Sequence, residues 1–533
     1  MRDSPARESW KRPPPGRTVP MDRTEAPTRS GTCDPMTKVL FINPPQSAPA
    51  EFQYCNIKTP LGFIYMAGVL EENGFEVRIL DCPLDHATHT PVDASTIRIG
   101  TALPDIEALV RDFAPAVIGV GCAYSAFESD SFALIDHLKE WAPATPVVVG
   151  GAHTSANPAY VLRNPHIAVA VIGEGETTML EIAQAIRDGR PLTDIRGTAV
   201  SIDGQVRLNP PRDYIQDLDS LHPAWHLLDL PAYFRHPANS DATLRTNSVD
   251  LVTSRGCPGR CVFCSIVTVW GRGWRSHGAR HVVDEIEMLH RQHGARQFRF
   301  QDDNLTLNRD RILEICDEIV RRKLDIRWDT PNGVAIWTLD EEVLLKMRQA
   351  GCYRLTFGIE SGSARTQKYI GKIVSEDKIR HLVRCCHQFR IWACGTFIIG
   401  FPDETLEDIR ETERMILTSG INFAFIYIAQ PLPGTRMMDD FRRLHLMDGQ
   451  RFGSMIGHSE YDTLHFKAPE INALLQDLHR KFYRRKYRSY LNPVLLWREI
   501  LSKLRTPEEW RYFLRMLATV LFSYRRRHTA PVS

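Results

Sequence analysis

The chain reads as an α/β protein. A doubly wound parallel sheet comes first, a second run of strand–helix units follows, and a helical region ends the sequence. Three observations predict this. Residues 38–190 alternate short apolar runs with helical patterns, as strands buried on both faces do. The alternation resumes near residue 246 and repeats through six units to residue 428. The loop after the first strand of that second run, S-R-G-C-P-G-R-C-V-F-C-S, gathers Cys257, Cys261 and Cys264 at C-x3-C-x2-C spacing.

Composition sets the outer bounds. A length of 533 residues implies two or more domains. Contents of 43% hydrophobic and 24% charged residues are ordinary for globular protein. A net charge of +2 gives no bias toward a polyanionic partner, and no nucleic-acid partner is expected. The twelve cysteines are scattered, apart from the triad and the Cys385–Cys386 pair. With no apolar signal core at the N-terminus, a disulfide framework is not expected and a reducing cytoplasm fits. No apolar run reaches the roughly 18 residues of a membrane span.

Residues 1–36, rich in Pro, Arg, Ser and Thr, are expected to form a disordered tail. Met36 directly precedes the first strand, so an upstream start codon wrongly assigned is the alternative to a real tail. The first domain spans 37–190, with strands at Val39–Asn43, Glu76–Leu80, Ala116–Gly121, Val147–Gly150 and Ala168–Ile172. Helices fall between them at Leu61–Asn73, Asp105–Phe113 and Glu128–Trp141, and one follows at Thr177–Asp188. Ligands of such sheets lie at the carboxyl ends of the strands. The candidate loops are therefore Asn43-Pro44-Pro45, Cys122 to Ser125, Gly150-Gly151-Ala152-His153 and Gly173-Glu174-Gly175-Glu176.

Residues 191–245 read as a linker packed on the surface, opening with a hairpin that turns at Asp203-Gly204. The second domain spans 246–460. Its strands are Val249–Thr253, Gln297–Gln301, Ile326–Thr330, Arg354–Ile359, Gly395–Gly400 and Phe423–Ile428. Residues 461–533 are helical and basic, with fourteen Lys or Arg against three acids between Arg480 and Arg527. That region suits a helical cap or a weak contact with an anionic membrane surface.

Three thiolates on one loop suit a cubane iron–sulfur cluster with one iron left open. A structural zinc site, with His277 and His281 completing the ligand set, is the lesser alternative.

The C-x3-C-x-aromatic-C pattern after a strand resembles the radical S-adenosylmethionine (SAM) superfamily. That resemblance implies a partial (β/α)6 barrel and a [4Fe-4S] cluster on Cys257, Cys261 and Cys264, whose open iron chelates SAM. It places Phe263 near the adenine, the alternative being loop packing. It places Gln301, Asp302 and Asp303 of Q-D-D-N near the SAM amino group, Glu360 and Ser361 near ribose or ammonium, and Gly400 of I-I-G-F-P near the adenine. Asn332 and Gly333 are candidates to face substrate, and Trp270, Trp274 and Trp337 to line the pocket.

N-P-P, P-L-G-F-I-Y-M-A-G-V-L-E, G-G-A-H and G-E-G-E-T resemble the Rossmann-like cobalamin-binding domain fused ahead of many such enzymes. The implied contacts are Asn43, Pro44, Ser125, Gly150, Gly151, His153, Gly173, Glu174 and Gly175. His153 is assigned to the corrin edge or to packing. The D-x-H-x-x-G motif that supplies a cobalt histidine elsewhere is missing from the first loop, which implies cobalamin held without one. His86 lacks the motif's spacing. Cys55 and Gln46 are the alternative lower ligands.

The two domains together resemble cobalamin-dependent carbon methyltransferases. That implies a small-molecule substrate, two SAM molecules in different roles and a flavodoxin or ferredoxin as electron donor. A magnesium-porphyrin ester cyclase and an RNA methylthiotransferase are the rival enzymes.

Overall fold

Residues 36–50, 52, 54–55, 57–240, 243–447, 458–511 and 513–514 are described in a computed structural model of the chain; the expected tail, apart from Met36, lies outside them.

The first sheet is centred on strand Lys38–Asn43, whose Val39, Leu40, Phe41 and Ile42 are all buried. It runs parallel to Glu76–Asp81 on one side and to Val117–Gly121 on the other. Val147–Gly150 and Ile167–Val171 continue in parallel beyond the latter. In chain order these strands lie 2-1-3-4-5, so the crossover direction reverses between Lys38–Asn43 and Val117–Gly121. A ligand crevice opens at the carboxyl ends of that pair. The hairpin assigned by sequence to the linker instead extends this sheet. Thr198–Ile202 pairs antiparallel with Ile167–Val171, and Gln205–Leu208 forms the edge. A small sheet of Gln46–Pro49, Thr96–Ile99 and His89–Pro91 was not legible, its strands being three or four residues long and partly polar.

The second sheet has six parallel strands in sequential order: Ser248–Leu251, Gln297–Phe300, Arg327–Val334, Cys352–Glu360, Trp392–Ile399 and Phe423–Ile428. All nine residues of Cys352–Glu360 are buried, as a central strand covered on both faces requires. The helices that cover it carry apolar stripes. Ala279–His293, for example, buries Val282, Val283, Ile286 and Leu289 and stops at left-handed Gly294.

The bridge is not a surface strip. Leu218, Leu221, Trp225 and Leu230 join the core under the second sheet, together with Ile64 and Tyr65 from helix Leu61–Glu72 of the first. Trp225 Nε1 donates to half-buried Glu285 at 2.8 Å, and loss of water pushes that carboxyl up to about 7. Gly68 is the point of closest approach, since a Cβ there would lie 1.8 Å from the His222 carbonyl oxygen.

Helix Ala468–Ser489 packs Ile471, Leu475, Leu478 and Phe482 into the same core, so this part of the basic region is a cap on the strands. Residues beyond it line the amino ends of the barrel strands. Lys503 Nζ donates to the Ile391 carbonyl and to Asn422. Fully buried Glu509 accepts from Arg327 at 3.0 Å, while Glu508 accepts from Arg296 at 2.7 Å. Among the described residues, no helix is long and apolar enough to cross a membrane. Basic residues 515–533 lie outside the described residues.

Candidate active site at the facing strand ends

The cysteine loop leaves strand Ser248–Leu251 and is pinched at its base, where Ser254–Arg255 pairs antiparallel with Arg275–Ser276. Gly256 has φ +86°, and a Cβ there would meet the Gly273 carbonyl oxygen at 2.3 Å, so glycine is the residue that lets the two arms close. Further along, Val262 N bonds the Ile370 carbonyl and Cys264 N bonds the Cys261 carbonyl.

The thiols converge. A Cβ built on Gly259 would lie 3.3 Å from Cys257 Sγ and 3.9 Å from Cys261 Sγ. Burial pushes the Cys264 thiol up to about 11 and raises Cys261 as well, so their thiolates need positive charge alongside. The spacing of the donors bears on the two metal readings. Sulfur ligands of one zinc ion, at about 2.3 Å from the metal, stand within about 4 Å of one another. Among the described residues, only Asp219–His277–His281 and Glu341–His381–Cys385 bring three ligand atoms within 4.8 Å of one another. The three cysteines form no such group, as donors to separate irons of one cluster would not. The two histidines, offered as zinc ligands, belong elsewhere. His277 Nδ1 lies 3.1 Å from Asp219 and its ring stacks on His281. The donor set therefore fits a cluster.

Around the thiols stand the carboxyl ends of the barrel strands. Asp303 is half-buried; loss of water first, and the charge of Asp302 second, push its carboxyl up to about 7, while the Gly256 N–H pulls it down. A cation beside it would restore its charge, as a ligand ammonium does. Asp302 itself is committed to the protein: it accepts from Thr253 N and Oγ1 and from Ser254, pinning the start of the cysteine loop. Gln301 likewise donates to Asp250. Asn332 reaches across from the next strand to the Gln301 carbonyl at 2.7 Å.

Glu360 holds φ +67°, and the pairing with Trp392–Ile399 slips a register there. Such strain persists where the surroundings over-determine it, and it aims the carboxylate. One oxygen takes Lys372 Nζ at 2.7 Å, the other Thr396 Oγ1 at 3.2 Å. Burial opposes the Lys372 charge, yet Glu360 and the nearby Cys261 and Cys257 thiols hold it above its ordinary value. Sequence reading missed this lysine; it lies beyond every motif considered, and only folding brings it to the thiols.

Ser361 is buried and bonds Thr412 Oγ1 at 3.0 Å. Gly400 and Phe401 donate N–H bonds to Glu404, which fixes the G-F-P turn. Phe263 faces Phe401 at 6.2 Å and is partly buried. Of the tryptophans, Trp270 packs under Arg255 and Trp274 Nε1 bonds the Asn304 carbonyl, whereas Trp337 is 67% exposed.

On the first sheet, Asn43 Nδ2 bonds Asp81 at 2.6 Å, and Tyr233 bonds the other Asp81 oxygen. Pro44 is buried directly after Asn43 at the switch point. Gly151, at φ +128°, lets the loop after Val147–Gly150 touch Cys122, where a Cβ would be 2.6 Å from the carbonyl oxygen. His153 is buried with Nδ1 2.7 Å from Ser125 Oγ and Nε2 2.5 Å from Glu128 Oε2, so both ring nitrogens are engaged. His86 lies against His236 at 4.7 Å, and the Cys55 thiol contacts the Gln46 carbonyl. With His153 engaged at both ring nitrogens and His86 packed against His236, these loops fit a corrin whose cobalt takes no protein histidine.

Glu174 departs from its assignment to a corrin loop. Its carboxylate is consumed by Arg255 at 2.9 Å, Arg275 at 2.7 Å and Ile215 N at 2.7 Å. Gly175 is equally closed, since a Cβ would meet Met66 Sδ at 2.6 Å, and Gly173 lies 3.6 Å, measured the same way, from the Val269 carbonyl oxygen of the cysteine loop. The last strand-end loop of the first sheet thus serves the junction.

Residues 251–416 match the radical SAM superfamily and residues 56–183 match the B12-binding domain family. The chain is 31% identical to an uncharacterized methyltransferase of Pyrococcus horikoshii over 84% of its own length and 93% of that protein. It is 29% identical to the cytidylyl-2-hydroxyethylphosphonate methyltransferase of Streptomyces wedmorensis, covering 86% and 92% of the two chains. The radical SAM methyltransferase TsrM of Kitasatospora setae, solved with cobalamin and a [4Fe-4S] cluster, shares the fold with a TM-score of 0.62 and 20% identity, over 77% of this chain and 75% of that one.

Proposed function

This chain belongs to the cobalamin-binding radical SAM enzyme family, as a methyltransferase with a [4Fe-4S] cluster, SAM and cobalamin as cofactors, and from that premise we propose that it methylates an unactivated carbon of a small molecule. The observation that carries this reading is the meeting of the cysteine loop with the strand ends of the first sheet, with Asp303, Glu360 and Lys372 around the thiols.

When bound, the cluster delivers an electron to SAM and cobalamin supplies a transferable methyl group. The residues of the chain bind and orient. Cys257, Cys261 and Cys264 hold the cluster. Asp303 takes the SAM ammonium, and Glu360, fixed by Lys372 and Thr396, takes the ribose hydroxyls or that ammonium. Lys372 Nζ also places a half-buried positive charge beside two cluster thiolates, where it opposes their charge. Ser361, Gly400 and Phe263 shape the nucleoside side. Asn43, Pro44, Ser125, Gly150, Gly151 and His153 border the corrin.

The tip of the loop, Pro258–Arg260, is exposed, and Arg260 and Arg272 stand on it. Those charges suit an acidic flavodoxin or ferredoxin as donor. A reducing cytoplasm suits the cluster. Exposed Leu491, Val494 and Trp497 beside Arg498 suit a weak membrane-surface contact.

The test is anaerobic reconstitution with iron, sulfide and cobalamin, followed by reduction in the presence of SAM. Release of both S-adenosylhomocysteine and 5′-deoxyadenosine supports methyl transfer. The deoxynucleoside alone points to the cyclase chemistry, and bound oxygen-stable zinc would end the reading altogether.

A further inference from the structure

Resting on the methyl-transfer reading, we propose that Glu174, Glu176, Arg255 and Arg275 form a clamp that sets the position of the cluster loop relative to the cobalamin-bearing sheet. They are positioning residues for the cluster–cobalt geometry.

The cysteine loop departs and returns through one two-residue ribbon, in which Arg255 is the direct partner of Arg275. Both arginines point away from the barrel and into the other sheet. Each donates to the same oxygen of Glu174, at 2.9 and 2.7 Å. Arg255 also donates to Glu176 at 2.6 Å. The two acids sit on the loop that ends strand Ile167–Val171 and opens helix Glu176–Arg187. Both ends of the loop that carries the three thiols are thereby tied to one strand end of the first sheet.

The tie is enclosed. All four side chains are buried. The Arg255 guanidinium lies between the rings of Tyr65, at 5.2 Å, and Trp270, at 4.8 Å, and Arg275 lies over Tyr214 at 4.8 Å. Tyr65 belongs to the P-L-G-F-I-Y-M-A-G helix of the first sheet, so that motif also faces the junction. Further out, Thr268 and Val269 of the cysteine loop rest near Gly434 and Gly173.

Cohesion alone does not call for this chemistry. Burying four charges costs solvation that apolar packing of equal volume would not. Arg255 Nε, Arg275 Nε and Glu176 Oε2 are left without hydrogen-bond partners, so the network is not tuned for stability. What a forked, directional network adds is one allowed register between its two sides. An apolar contact tolerates sliding by a fraction of an ångström, which matters where two cofactors must serve one substrate.

The test uses Glu174→Gln and Arg255→Lys in the full chain, with two readouts. In the protein without cofactors, amide exchange across 256–274 should accelerate about tenfold or more while strand Cys352–Glu360 keeps its protection. In reconstituted protein, the reduced cluster should relax the cob(II)alamin spin severalfold less than in wild type, at equal iron and cobalamin content. Loop exchange at the wild-type rate, or unchanged spin relaxation in a variant that holds both cofactors, overturns the clamp. If Glu174→Gln does not fold, Arg275→Lys carries the same two readouts. If the wild type takes up no cobalamin, the methyl-transfer reading falls, and the exchange measurement still decides the clamp.

Discussion

At the carboxyl ends of the second sheet, Asp303, Glu360 and Lys372 crowd around three thiols, and burial or strain sharpens each of them. At the carboxyl ends of the first sheet, Asn43, Ser125 and His153 supply the polar groups, and each is already hydrogen-bonded or paired to a neighbour. The first set waits for charge: a cluster, a methionine ammonium. In the proposed reading the second is a pre-satisfied floor for a large ring. The same strand-end rule thus gives a reactive mouth in one sheet and a passive seat in the other, and only the residues that cap the strands differ.

The sharpest way to break that contrast is at the thiols. Cys257→Ala, Cys261→Ala or Cys264→Ala should each remove essentially all of the roughly four irons per chain expected for a cubane, as measured by iron analysis and visible absorption of anaerobically reconstituted protein. Retained iron in any of the three would mean that the cluster sits elsewhere.

Charge at the opposite end of the same strands should govern stability instead of cofactors. Glu509→Ala leaves Arg327 buried without its partner, and loss of about 3–5 kcal/mol is expected from breaking a buried pair. Urea unfolding checks this, and iron content in the surviving folded fraction should match wild type.

A smaller effect concerns pH. With its carboxyl near 7, Asp303 must lose a proton before it can take an ammonium. The sign is therefore that SAM binding weakens as pH falls below about 7, by up to about tenfold per unit. Asp303→Asn should flatten that profile, and titration calorimetry between pH 6 and 8 measures it.

The quiet face predicts the smallest effect. His153→Ala and His86→Ala should leave the electron spin resonance spectrum of bound cob(II)alamin base-off and without nitrogen splitting. A three-line pattern abolished by either change would overturn the picture of cobalt without a protein histidine.

What the sequence reveals of this arrangement follows from range. The cysteine spacing is local and was legible outright, as were apolar strands such as Val147–Gly150 and Phe423–Ile428 and helix Glu128–Trp141. Pairings distant along the chain were not. Nothing in the neighbourhood of Glu174 announces Arg255, 81 residues away, so the sequence reads G-E-G-E as a corrin loop, whereas its acids face the junction. Lys372 was invisible for the same reason, twelve residues and a helix beyond Glu360. The hairpin at Thr198–Ile202 showed its turn but not its partner, because an antiparallel edge strand is chosen by what it lies beside. The bridge reads as polar, yet four well-spaced apolar side chains anchor it in the core.

The seating of Glu508 and Glu509 at the amino ends of the barrel strands makes that rim a meeting place of distant segments. Arg296 and Arg327 find their carboxylates 212 and 182 residues along the chain, and Arg245 is shared between Asp325 and Glu509. Contacts of such range carry a large loop-closure cost before they repay it. The lower rim is therefore the part of the barrel whose closure reports that strands and C-terminal helices have come together.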